Sequence, residues 1–288
     1  MSAAAYPRPR RLPLVAAALG LLAAAGLASA GAAAARRADE RISPLLYLPS
    51  GRYLKAAALG FDPILADALY LWSIQYYSNY RVQDRYRYLE HIYRDVITEL
   101  DPHYIDPYLI GSMIMTAEAH EPEMALRLLD KGIAQNPGDW ILPFEAGYLC
   151  YSGIKDYARA ARYFEMALRS PDVHPAVRRF HAEMYNRAGD ARTSLREWGS
   201  IWQSTDDPYV RTVAWNHVHD LRVEVDLTTL REAIARFIAA RGRRPARLED
   251  LVAAGIVDAL PDDPEGGAYA YDPARGEAAY HGSRVLGR

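Results

Sequence analysis

Through most of its length this chain repeats apolar side chains at helical spacing, and polar turns cut the pattern into paired segments. Leu65, Ala68, Leu69, Trp72 and Tyr76 form the first stripe, predicting a helix over 64–80 that pairs with one over 86–100. The same reading pairs 107–118 with 122–135, and 140–152 with 156–169. A fourth pair starts at Pro175 and ends near Gln203; a fifth starts at Pro208 and runs to Arg241. Proline is tolerated at a first helical position, where its missing N–H would have no partner. Thr229 and Glu232 have capping-box spacing, which places the second helix of the fifth pair there. Asn136-Pro-Gly-Asp139 is a turn by composition.

The pairs repeat. Pro102, Pro137 and Pro171 follow one another at 35 and 34 residues, each closing an amphipathic segment. Tyr157 is followed by Ala160, Phe164 and Ala167. Ala125, Leu129 and Gly132 hold those places one repeat earlier; Ser194, Trp198 and Ile201 hold them one later, and Ala233, Phe237 and Ala240 echo them again. Small residues let paired helices approach, and the large one fills the gap toward the next pair. A fixed period near 34 marks a solenoid of helical hairpins. This pattern resembles the tetratricopeptide repeat family over residues 60–241, most closely at Tyr151, Tyr157, Ala160, Phe164, Ala167 and Pro171. Phe144, Gly147 and Tyr148 stand where that family has Trp, Leu and Gly. The expected fold is therefore all-α: a right-handed superhelical solenoid of about five hairpins. The resemblance implies a concave groove for a protein or peptide partner, lined by first helices. Carried over position by position, its groove residues are Gln75, Asn79, Glu118, Glu145, Arg179, Glu183 and Asn186.

Upstream, Arg8, Arg10 and Arg11 precede a charge-free run from Leu12 to Ala35, rich in Ala and Leu, and Arg36 and Arg37 close it. That is an export signal. Two outcomes stay open: a retained hydrophobic helix anchoring the chain in the inner membrane, or cleavage after Ala28-Ser29-Ala30 to release a periplasmic protein. No cysteine stands at the end of the run where a lipid could be attached, which excludes lipid attachment there. Residues 1–37 are thus signal or anchor, 38–60 a linker, 61–242 the repeat domain and 243–288 a small α/β cap. In the last part, 245–255 reads as a short helix, and the runs 268–271 and 277–281 flank the turn Asp272-Pro-Ala-Arg-Gly276 as a β-hairpin. Pro245, Leu248, Leu251, Leu260-Pro261, Asp263-Pro264, Gly266 and Tyr269 resemble the C-terminal region of type II secretion pseudopilins. That resemblance implies an accessory role in secretion or pilus machinery. A terminal cap closing the last hydrophobic face of the solenoid is the simpler reading.

Composition narrows the function classes. The net charge is −2, and residues 1–50 hold six arginines against two acids, so the remainder is acidic. Nucleic-acid binding, which needs a basic face, is not expected. One cysteine, Cys150, excludes an internal disulfide and reads as a small core residue. No phosphate loop, dinucleotide fingerprint or His-Glu-x-x-His spacing occurs, so neither cofactor nor enzymatic activity is expected. His217 and His219 point to different sides of a helix and read as part of a partly exposed helix face, not as metal ligands. Among 21 tyrosines, those from Tyr70 to Tyr108 crowd the first pair. With the carboxylates Asp67, Glu118, Glu145 and Glu183 they leave a third option, an envelope solenoid that binds or cleaves glycans.

Overall fold

The structure, a computed structural model, describes residues 48–80 and 85–282. The expected signal or anchor at 12–35 lies outside the described residues. No helix among the described residues is long and apolar enough to cross a membrane. Two units are distinguished: residues 1–49 with 79–84, of which only 48–49 and 79–80 are described, and residues 50–78 with 85–288, treated below.

The fold is mostly helical, with a small two-stranded sheet near the C-terminus. Helix α1 spans Gly51–Ala57 and α2 Asp62–Tyr77. In α3, π-helical turns at His91–Ile97 run into Thr98–Leu100. Then come α4 (Ile105–Ala117), α5 (Pro122–Gln135), α6 (Ile141–Leu149, continued by a π-helical turn at Cys150–Ile154) and α7 (Tyr157–Ala167). Helices α8 (Ala176–Arg187), α9 (Ala191–Ser204), α10 (Pro208–Arg241) and the short α11 (Glu249–Ala253) complete the helical part. Neighbours in sequence are neighbours in space from α2 to α10, and α4 also touches α6. The first four expected pairs are therefore present, shifted at their ends by a few residues.

Local chemistry sets the starts. The carboxylates of Asp156, Asp190 and Asp207 accept from backbone N–H groups in the first turns of α7, α9 and α10. Pro122 and Pro208 sit at the opening positions of α5 and α10. Helix α10 ends where Gly242 turns left-handed at φ 67°.

Two expectations fail. The fifth pair is one 34-residue helix, α10, without a break. No glycine or proline interrupts 209–241, and Leu230, Ala233, Ile234 and Phe237 continue a buried face. Thr229 caps nothing: its hydroxyl donates to the Val225 carbonyl one turn back and accepts from Arg192. The segment taken as a linker, 38–60, contains α1, whose Gly51 is buried where a Cβ would lie 2.6 Å from the Val96 carbonyl oxygen.

Glycine and aromatic rings set the helix spacing. A Cβ on Gly111 of α4 would lie 2.6 Å from the Tyr93 ring of α3. One on Gly132 of α5 would lie 2.8 Å from Tyr108 of α4, and one on Gly147 of α6 would lie 2.8 Å from Phe164 of α7. All three rings are fully buried. On the outside, polar contacts recur at nearly constant sequence separation. Arg127 donates to Glu90 37 positions away and Arg159 to Glu123 36 away. Tyr163 donates to Asp130 across 33, and Asn136 to the Pro102 carbonyl across 34. These ties join equivalent places on successive pairs.

At the far end, Leu248 and Leu251 pack with Tyr269 on Leu230, Ala233, Ile234 and Phe237 of α10. Strands β1 (Ala270–Asp272) and β2 (Glu277–Ala279) pair antiparallel, with Tyr271 opposite Ala278. Asp272 accepts from Ala274 and Arg275 to close the turn. The expected β-hairpin is therefore present, and it covers the end of α10.

Two predictions follow from this packing. In a helix interior, Gly→Ala ordinarily stabilises by about 1 kcal/mol. At Gly147 the new methyl meets Phe164, and overpacking of about 1–3 kcal/mol should reverse the sign. Gly199→Ala in α9, with open space around the position, should instead stabilise. Urea midpoints of the two variants check this pair. The second concerns His181, buried in α8 with no hydrogen-bond partner on either ring nitrogen. Burial holds its pKa below the ordinary 6.5, against the partial pull of Glu197 and Glu165. The unfolded chain therefore binds the proton more readily, and stability should fall as pH drops below 6.5. A series of urea midpoints against pH should flatten there in His181→Phe.

Candidate functional site

An apolar cleft of about 360 Å³ opens between α4 and α6. Leu109, Ile110 and Met113 of α4 form one wall, and Tyr148 and Leu149 of α6 the other, with Leu129 of α5 also lining it. Helix α4 is apolar on both sides: Tyr108, Ile114 and Met115 face the core, while Met113 is 56% exposed. Tyr148, 44% exposed, is held by Phe144, Tyr151 and Phe180 at ring distances of 5.9–6.4 Å.

The polar groups of the cleft fall into two kinds. Ser112, Thr116 and Ser152 turn their hydroxyls back, donating to the carbonyls of Leu109, Ser112 and Tyr148. Glu145 is different. It is half-buried, lines the cleft, and has no hydrogen-bond or ion-pair partner among the described residues. Burial alone pushes its pKa above the usual carboxylate value. An uncompensated carboxylate in an apolar wall is a recognition element for a cation or a hydrogen-bond donor.

The other groove positions are not gathered around it. Glu118 accepts from the Tyr86 hydroxyl and stands 3.6 Å from Arg85, so its charge is spent inside the protein. Glu183 pairs with Arg187 at 2.8 Å, and that guanidinium lies over the rings of Tyr151 and Tyr157. Asn186 is half-buried on the same helix. Arg179 lines a separate cleft of about 470 Å³ with Asp206 and Asp207. Gln75 is exposed on α2, and Asn79 follows that helix and is exposed. Of the seven, Glu145 alone lines the α4–α6 cleft.

Sequence reasoning missed the apolar walls. Their signal was present: apart from Ser112, 108–115 carries no polar side chain but the Tyr108 hydroxyl, so burying one face of α4 leaves apolar residues exposed on another.

The expected partly exposed face holds for His217, which is half-buried, and fails for His219. His217 stacks on Trp198 at 4.0 Å. His219 is buried, with Nε2 2.8 Å from Glu265 and 3.0 Å from the Tyr280 hydroxyl, and Nδ1 3.2 Å from Asp220. It ties α10 to the C-terminal piece. Among the described residues no group of three His, Cys, Asp or Glu side chains is placed to hold a metal. Cys150 is buried, as expected, and its thiol is pushed up to about 11 by burial.

A carboxylate kept partnerless in an apolar wall is a stability defect. Glu145→Gln should therefore stabilise the fold at neutral pH by up to about 1 kcal/mol given partial solvent screening, read as a higher melting temperature. The raised pKa fixes the pH dependence. The folded chain binds the proton more readily than the unfolded one, so this penalty is absent at acid pH and grows as pH rises above 4.5. Melting curves of the two proteins should converge toward pH 4.

No family model matches the chain, and no curated protein matches it.

Proposed function

We propose that this protein is a non-enzymatic binding scaffold that captures an apolar segment of a partner protein in the α4–α6 cleft. The observation that carries the reading is Glu145, an unpaired carboxylate set among Leu109, Met113 and Tyr148. A partner segment with one lysine or arginine between apolar side chains would fill the walls and neutralise the charge. The polar ties at separations of 33–37 residues and the Gly–aromatic contacts support a tetratricopeptide-like solenoid as the frame. The arginine-flanked run at 12–35 supports export, with the chain anchored in the inner membrane or released to the periplasm.

The test is selection of random peptides on the immobilised full chain in mild detergent. Peptides enriched on the unaltered chain should carry a basic residue flanked by apolar ones. Glu145→Gln should lose the basic preference and weaken such peptides by tenfold or more, about 1.4 kcal/mol. Met113→Glu should abolish binding. Identical peptide preferences with and without Glu145 would sink the proposal.

A second reading, accessory work in secretion machinery, is favoured by one observation: a 34-residue helix carries an antiparallel hairpin packed near its C-terminal end. Deleting 243–288 would be a poor test, because it uncovers Leu230, Ala233, Ile234 and Phe237. Reversing the exposed charges of Arg275 and Glu277 leaves that core intact. Loss of partner capture in that variant, with Glu145→Gln silent, would favour the second reading.

A further inference from the structure

Helix α2 is apolar on two opposite faces. Ala66, Tyr70, Ser73 and Tyr77 are buried, with Ser73 3.0 Å from the hydroxyl of Tyr93 on α3. The spacing of these four positions puts them on one side. Ile64, Ala68 and Leu71 fall on the other and are exposed, Ile64 and Leu71 to 64% and 63%. An apolar helix face left exposed normally meets a partner or lipid. The stripe continues into the α1–α2 turn, where Phe61 is 65% exposed and Leu59 is 84% exposed. Leu59 holds a left-handed backbone at φ 50°, beside Gly60 at φ 90°. That conformation is unfavourable for leucine. The chain thus spends backbone strain on a turn that displays an apolar side chain, a pattern associated with functional contacts.

We infer that this outer face, from Leu59 through Leu71, rests in the interfacial zone of a lipid bilayer. Two features identify the occupant. The first is continuity along the chain. The charge-free run at 12–35 ends 15 residues before Gly51, and 15 residues reach at most about 50 Å even when fully extended. A chain anchored by that run cannot hold α1 and α2 far from the surface; the inference rests on that reading of the run. The second is side-chain type. Trp72 and Tyr76 flank the stripe, half-buried and stacked at 5.3 Å, and aromatic residues of this kind prefer the headgroup level. Arg52 and Lys55 are exposed on α1, suited to anionic headgroups. Asp67, exposed at the edge of the stripe, sets the depth: the face lies on the hydrocarbon boundary and does not enter it.

The test uses the full chain reconstituted in vesicles of phosphatidylcholine and phosphatidylglycerol. Cys150 is replaced by serine, and a nitroxide is attached at Leu59→Cys, Ile64→Cys or Leu71→Cys. Tyr209→Cys, at an exposed position on α10, is the reference. Collision with oxygen, which partitions into lipid, is compared with collision with a water-soluble nickel chelate. The oxygen-to-nickel ratio at 59, 64 and 71 should exceed that at 209 several-fold. It should fall to the reference value when the lipid is exchanged for a non-micellar polymer. Vesicle flotation with all three positions as open to nickel as 209 would leave the anchor standing and overturn the face. A chain that does not float would overturn both. Labels shielded from oxygen and nickel alike, with or without lipid, would assign the face to a second copy or to the chain's own N-terminal part, and so reject the bilayer.

Discussion

Helix spacing in this protein depends on one kind of contact, an aromatic ring packed against a glycine of the neighbouring helix. Tyr93 on Gly111, Tyr108 on Gly132 and Phe164 on Gly147 tie α3 to α4, α4 to α5 and α6 to α7. Each ring fills the space a methyl group would take, so helices approach closely without leaving a void. Everything outside the core inherits that spacing. The Glu90–Arg127 and Glu123–Arg159 pairs bridge successive pairs because the underlying helices keep a constant offset. Such exposed pairs contribute little individually. Their regularity reports the geometry and does not create it.

The cleft is a consequence of the same arrangement. Where α4 and α6 come alongside each other, α4 presents Leu109, Ile110 and Met113, and Glu145 of α6 lines the same cleft. Other carboxylates have partners: Glu118 has Tyr86 and Arg85, Glu183 has Arg187, and Glu265 has Tyr280 and His219, which hold its carboxyl below the usual range. Glu145 has none and is pushed the other way. A half-buried carboxylate without a partner is the feature on which the proposed binding role rests.

The two apolar surfaces have different characters. The cleft between α4 and α6 is concave and carries a charge, which suits a specific segment. The outer face of α2 is exposed and ends in a strained turn, which suits an extended apolar phase. They lie on different helices, so one chain has room for a surface contact and a partner at once.

The sequence alone determined much of the architecture. Proline spacing, small-large-small triplets and 3.6-residue periodicity specified four of the helix pairs, and the turn Asp272-Pro-Ala-Arg-Gly276 specified the hairpin, because these signals are local. Helix α10 escaped because Thr229 and Glu232 mimic a cap; only the packing of Leu230 and Phe237 against Leu251 and Tyr269 shows the chain continuing through them. His219 escaped for a related reason: its partners Glu265 and Tyr280 are 46 and 61 residues away. The family resemblance put Glu145 among the expected groove positions, but it could not separate it from Glu118 and Glu183. That distinction depends on which basic or hydroxyl group the fold brings within 3 Å, and only the tertiary structure decides it.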